Sequence, residues 1–176
     1  MAAKGDGLAE YALASYDLGW KGYIPFVRKK ERLRRLKKAL EMGYNYSAIT
    51  INGMLLREHG YDTAPQHLRE ESVKYLLIAA KNGYAPAMTD LAGYSDIIGH
   101  EATKKWLYMA FELGYPAAAF SLANILDEGS NGFEKNSEQA YYHALISTRI
   151  GDLYGSSLSS SLEDGRIGGD LTEEKK

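Results

Sequence analysis

Histidines are the residues of this chain whose chemistry would suit a metal ion or proton transfer. There are four, His59, His67, His100 and His143, and no cysteine. No two histidines stand four residues apart, as a pair of ligands on one helix face would, and none has a carboxylate partner at ligand spacing. We therefore predict no metal site and no cofactor. We interpret His143 as a substitute for an aromatic packing residue.

Serine is the nucleophile that clusters in this sequence, at residues 156–161. No phosphate-binding glycine loop, dinucleotide-binding glycine pattern or Gly-x-Ser-x-Gly elbow accompanies it. We interpret these serines as small residues in a tightly packed helix. The sequence predicts no catalytic residue and no enzyme. A hydrolase built on helical hairpins remains a remote alternative.

Tyrosine is abundant, with 14 copies against four phenylalanines. Tyrosine suits protein interfaces because its ring buries a large area while its hydroxyl keeps a hydrogen-bond partner. Core packing is the alternative role. The residues that we expect to contact a partner protein are three tyrosines and three nearby lysines: Lys74, Lys104, Lys105, Tyr108, Tyr141 and Tyr142.

A basic segment stands out, although the net charge of the chain is −2. Residues 21–40 contain nine lysines and arginines against one acid, Glu31. Four of them are candidate contacts for an acidic partner surface: Arg28, Arg32, Arg35 and Lys38. A solvated helix face is the alternative. We expect no nucleic-acid partner, because the rest of the chain is acidic and no aromatic residue interrupts the basic run.

An internal repeat predicts the helices that carry these side chains. Five glycines, Gly5, Gly43, Gly83, Gly114 and Gly151, recur at separations of 38, 40, 31 and 37 residues. In the two best copies the glycine is followed by Tyr at +1, Ala at +4, Leu at +8 and Ala at +9. The positions that we assign to packing are Gly43, Gly83, Ala87, Leu91, Trp106, Gly114, Ala118, Leu122 and Gly151.

Each copy predicts a pair of helices. Apolar residues at helical spacing precede the glycine, which ends the first helix as a left-handed cap. The second helix starts within about three residues, and its small residue at +4 allows close approach to the first helix. Further boundaries are expected at Pro25, at Thr63, and at Asn136 with Gln139 three residues on.

The pattern Ala-x-x-Gly-Tyr-x-x-Ala-x-x-x-Leu-Ala resembles the Sel-one-like repeat, a relative of the tetratricopeptide repeat. Trp106, Ala110 and Gly114 match the family's first helix, as do Tyr75, Ala79, Ala80 and Gly83. The resemblance implies an all-α, right-handed α-solenoid whose concave groove is lined in part by the first helix of each unit. It also implies a protein–protein interaction module, an adaptor or scaffold. A bacterial immunity protein that neutralises a secreted toxin is the alternative.

Residues 1–176 are expected to form a single array of four to five such units, open at both ends. Open ends would favour self-association or further chain. No apolar run approaches the roughly 20 residues that span a bilayer, and no signal peptide is recognisable at Met1. The expectation is a soluble protein, either cytoplasmic or periplasmic after signal removal, with the compartment left open.

Overall fold

The computed structural model describes residues 4–16, 25–60, 63–151 and 153–163, and this part of the chain is helical without a strand. The prediction of an all-α protein is therefore confirmed. The helices are α1 Lys4–Tyr16, α2 Pro25–Glu41, α3 Tyr46–Leu56, α4 Gln66–Lys81, α5 Ala85–Asp90, α6 Ser95–Ile98, α7 His100–Glu112, α8 Pro116–Glu128, α9 Ser137–Arg149 and α10 Leu153–Glu163, with a 3-10 helix at Leu91–Tyr94.

The chain divides into two compact units, Met1–Ala87 and Met88–Lys176. In the first unit α1 packs on α2, α2 on α3, and α3 on α4. The core of this unit contains Leu36, Ile51 and Leu76, none of which is exposed to solvent. Burial of such aliphatic side chains contributes about 1.5–3 kcal/mol each.

In the second unit α7 packs on α8, α8 on α9, and α9 on α10. Leu107, Leu122 and Leu162 are fully buried there. Consecutive helices joined by short turns pack as hairpins, because each helix must bury one apolar face.

Three of the five repeat glycines end the first helix of a hairpin, as predicted. Gly43, Gly83 and Gly114 adopt φ values of 88°, 84° and 74°. The amide of the following tyrosine donates to the carbonyl five residues earlier, as from Tyr84 to Ala79 and from Tyr115 to Ala110, both at 3.1 Å. This is the Schellman cap, which satisfies carbonyls left open at a helix end.

The small residues at +4 and the leucines at +8 are buried. Ala87 and Ala118 have no exposed surface, and neither do Leu91 and Leu122 at +8. Their burial agrees with a packing role, and their place in a repeat array stays a prediction. Trp106, on α7, is only half-buried.

Two elements differ from the expectation. Gly5 lies inside the first turn of α1 and therefore does not end a helix as the later glycines do. The second helix after Gly83 is not continuous, since α5 gives way to the 3-10 helix and then to α6. Gly93 lies within this interruption, and glycine lowers helix stability by roughly 0.5–1 kcal/mol relative to alanine.

The helix starts are confirmed at two of three places. α2 begins at Pro25, and the Asn136 side chain accepts a 3.0 Å hydrogen bond from the amide of Gln139 at the start of α9. The prediction for Thr63 is wrong. Pro65 is the cap residue of α4, and the Thr63 hydroxyl instead donates to the carbonyl of His59. Pro65 has a ψ of 138°, outside the helical region, so the helix starts only at Gln66.

No helix in the described ranges combines the length and the apolar character that are needed to cross a membrane.

Candidate functional site

Two tyrosines of the second unit expose large aromatic surfaces. Tyr108 on α7 is 38% exposed and Tyr142 on α9 is 59% exposed. Each ring is held from one side, because Tyr108 lies 6.0 Å from the ring of Phe133 and Tyr142 lies 5.4 Å from the ring of His143. Rings that are already packed lose little conformational entropy when a partner covers them.

A surface pocket of about 390 Å³ opens beside Tyr108. Its volume falls at the low end of the range of ligand sites in proteins, about 300–1,000 Å³. The lining combines apolar and aromatic side chains with a polar rim: Lys104, Tyr108, Leu126, Gly132, Phe133, Glu134, Asn136 and Gln139.

A tight turn places Phe133 against the pocket. Asn131 and Gly132 both adopt left-handed backbone, with φ values of 52° and 80°. The Asn131 side chain accepts a 2.7 Å hydrogen bond from the Ser95 hydroxyl and donates one of 3.2 Å to the carbonyl of Ala92. Both partners lie about 40 residues earlier in the chain, so these contacts are tertiary.

The same turn approaches the start of α7 very closely. A Cβ atom on Gly132 would lie only 2.5 Å from the Cβ of His100. Only glycine fits at this position, for reasons of both space and backbone conformation. The turn therefore fixes the position of the wall that Phe133 provides.

The charged rim of the pocket is partly neutralised. The Lys104 ammonium lies 3.3 Å from the carboxylate of Glu101 and 5.4 Å from the centre of the Phe133 ring. In the described part of the chain no group hydrogen-bonds the side-chain amide of Gln139 or the carboxylate of Glu134. The side chains of Gln139 and Glu134 are thus polar groups at the rim that make no hydrogen bond within the described structure.

His143 is a packing residue, as predicted from its place in the repeat. It is 7% exposed, and the edge of its ring meets Phe111 at 4.9 Å and 78°. Its Nδ1 has no hydrogen-bond partner among the described residues. Burial lowers the pKa of His143, because a charged imidazolium would lose its hydration there.

The predicted groove residues do not all lie at this pocket. Lys104 and Tyr108 line it. Lys105 on α7 is exposed and Tyr141 on α9 is half-buried. Lys74 is exposed on α4, within the first unit.

The basic helix α2 is largely neutralised by acids of its own unit. Glu10 on α1 lies 2.5 Å from Lys38 and 3.7 Å from Arg35, and Arg35 also pairs with Glu31 at 3.1 Å. The hydrogen bond from Lys38 is the main cause of the lowered pKa of Glu10. Two of the four predicted contacts for an acidic partner are therefore engaged within the chain.

Further pairs extend this neutralisation along α2. Lys29 meets Glu58 and Lys37 meets Glu71, each at 3.0 Å. Arg28 and Arg32 form no ion pair with any described residue. Arg28 is exposed and Arg32 is half-buried, so the free positive charge of the helix is smaller than its sequence indicates.

Asp127, near the end of α8, is a buried acid. It is 6% exposed, and its Oδ1 has no hydrogen-bond partner in the described structure. Burial raises the pKa of Asp127, since the carboxylate is stripped of water. A negative charge near a helix C-terminus is also opposed by the helix dipole.

The serine cluster contributes to packing in part. Ser159 is buried, as are its neighbours Leu158 and Leu162. Ser157 and Ser160 are exposed, and the Ser161 hydroxyl donates to the carbonyl of Ser157 at 2.9 Å.

The described side chains contain no group of three or more His, Asp or Glu residues arranged to hold a metal ion. Comparisons of the chain with protein-family models, with curated proteins and with solved structures find no match.

Sequence reasoning missed the residue that shapes the pocket, Phe133. It lies in the linker between α8 and α9 and has no counterpart in the repeat pattern. The signal available was the dipeptide Asn131-Gly132 directly before an aromatic residue, since Asn-Gly favours a tight turn with left-handed backbone. The sequence indicates Gln139 only through the cap of α9, whereas its side chain is exposed at the pocket.

Proposed function

We propose that this chain is an array of Sel-one-like repeats, wound as a right-handed α-solenoid, that acts by binding another protein and not by catalysis. The observation that carries the proposal is the pair of exposed, pre-packed tyrosines, Tyr108 and Tyr142, on the first helices of successive hairpins. The resemblance of the repeat positions to that family supports the array.

The chemistry of these exposed side chains fits protein recognition. Tyrosine is enriched among the interface residues that contribute most to binding, where truncation to alanine costs about 2 kcal/mol or more. The neighbouring pocket adds an apolar floor with a polar rim, which is the common anatomy of a binding surface. We therefore place the main contact surface on the second unit.

The neutralised helix α2 is a weaker candidate. An acidic partner would have to compete with Glu10 for Lys38 and Arg35. Exposed ion pairs contribute only about 0–1 kcal/mol each and weaken further in salt. This surface supports an auxiliary, salt-sensitive contact at most.

The test is co-purification of the full chain from its source cells, quantified by mass spectrometry. A double variant, Tyr108→Ala with Tyr142→Ala, is compared with the single variant Tyr46→Ala. Tyr46 is a matched control, because it is 47% exposed on α3 of the first unit. We expect a stoichiometric partner that the wild type and the Tyr46 variant retain and the double variant loses.

Equal retention by all three proteins, with unchanged circular dichroism, would contradict the proposal. The identity of a retained partner also separates the two functional classes. A secreted toxin in the complex would assign an immunity protein, and a cellular component would assign an adaptor.

A further inference from the structure

The pocket beside Tyr108 indicates what kind of partner segment this protein takes. We propose that it binds an uncharged stretch of extended polypeptide, which packs one large apolar side chain against the rings of Tyr108 and Phe133. This inference rests on the proposed function and specifies its ligand.

The apolar residues of the pocket explain why we expect the peptide to be anchored by one large apolar side chain. Leu126, Tyr108 and Phe133 form its apolar part, and the two rings lie 6.0 Å apart at 44°. Removing an apolar side chain from water into such a site is favourable by about 25 cal/mol per Å² of buried surface. A volume of about 390 Å³ accommodates an anchor side chain together with its flanking main chain, and not a folded element.

The charged residues that line the pocket explain why we expect an uncharged peptide. Lys104 is already paired with Glu101 and lies over the Phe133 ring, so an acidic side chain would have to displace these contacts and approach Glu134. A basic side chain would be repelled by Lys104. One positive and one negative residue line the pocket, and this balance favours a neutral occupant.

The remaining polar side chain of the pocket, that of Gln139, explains why we expect the main chain of the peptide to be bound. The Gln139 side-chain amide is exposed and has no described partner. A carboxamide offers one acceptor and one donor in the same plane, which match the donor and acceptor of a peptide group. The fixed turn at residues 131–132 keeps the site open before binding, so little of the binding energy is lost in ordering it.

The experiment selects random linear peptides displayed on phage against the full chain. Gln139→Trp fills the pocket from its exposed rim. Gln66→Trp is the control, because Gln66 is also an exposed glutamine in the first turn of a helix, α4, and lies in the other unit. We expect the selected peptides to share one large apolar residue with uncharged neighbours.

The affinity of these peptides is then measured for each protein by fluorescence polarisation. We expect a loss of roughly tenfold or more in Gln139→Trp and in Tyr108→Ala, and less than about twofold in Gln66→Trp. The affinity should change less than about threefold between about 0.05 M and about 0.5 M sodium chloride, because screening acts on charges.

Three outcomes would overturn the proposal: no enrichment of peptides, enrichment of charged peptides whose binding falls steeply with salt, or equal binding to Gln139→Trp. Failure of this peptide-binding proposal can be distinguished from failure of the proposed function. If co-purification still depends on Tyr108 and Tyr142 while Gln139→Trp has no effect on peptides or partner, the protein-binding face stands and the pocket is not its anchor site.

Discussion

The imidazole of His143 on α9 stands edge-on to the ring of Phe111 on α7, with the ring centres 4.9 Å apart and the planes inclined by 78°. A titratable ring thus occupies a buried aromatic position between two hairpins of the second unit. The position matters because burial lowers the pKa of this ring in the native state relative to the unfolded chain.

Replacing His143 by Phe should reduce the loss of stability in acid. The folded-state pKa of His143 lies below its unfolded value of 6.5, so the unfolded chain binds the proton first. Stability is therefore complete above about pH 6.5 and falls as the pH drops through the window below it. His143→Phe removes this dependence of stability on pH, and it also removes an unpaired buried nitrogen.

Urea unfolding at pH 7.5 and at pH 5.0 measures the effect. We expect His143→Phe to exceed the wild type by roughly 1 kcal/mol at the higher pH and by a larger margin at the lower one. A constant margin at both pH values would show that His143 does not titrate as its burial implies.

Two glycines, one at a helix end and one inside a helix, give predictions of opposite sign. Gly114 has a φ of 74°, which a side chain resists, so Gly114→Ala should destabilise the protein by about 1–2 kcal/mol. Gly53 lies inside α3 without a positive φ, and a Cβ there would meet nothing within 4 Å. Gly53→Ala should stabilise it by about 0.5–1 kcal/mol. Thermal and urea unfolding of both variants measure these changes, and equal effects would contradict the cap at Gly114.

The ion pairs of Glu10 give a second prediction that depends on pH. The folded-state pKa of Glu10 lies below its unfolded value of 4.5, so its contribution is present above that value and is lost as the pH falls through the folded pKa. Glu10→Gln should cost about 0.5–1 kcal/mol at pH 7 and less at about pH 3. Glu41→Gln is the control, since Glu41 is exposed at the end of the same basic helix.

Urea titrations of both variants at the two pH values provide the comparison. A cost for Glu10→Gln that persists unchanged in acid, or an equal cost for Glu41→Gln, would show that the pairs to Lys38 and Arg35 do not stabilise the fold.

The repeat pattern predicted the hairpins because their determinants are local. A glycine cap such as Gly83 needs only the preceding turn and the following tyrosine, and the small residue Ala87 lies four positions away. The 3-10 break after Asp90 was not predicted, since the same apolar spacing is met by an α-helix and by a short interruption around Gly93.

The site was predicted only in part, because much of it depends on contacts between distant residues. Tyr108 and Tyr142 were recognisable from their helix positions. The wall at Phe133 depends on hydrogen bonds between Asn131 and residues 36 and 39 positions earlier. The neutralisation of Lys38 likewise depends on Glu10, 28 residues away. Neither contact has a signature in the spacing of the sequence.

Site-specific photo-crosslinking in the source cells tests the central claim most directly. A benzophenone amino acid is placed at residue 142 and, in a separate protein, at residue 46 as the control, since both tyrosines are exposed, at 59% and 47%. The account predicts a discrete protein adduct from position 142, none from position 46, and loss of the adduct when Tyr108→Ala is added. Adducts from position 46 alone, or adducts from position 142 that Tyr108→Ala leaves unchanged, would contradict it.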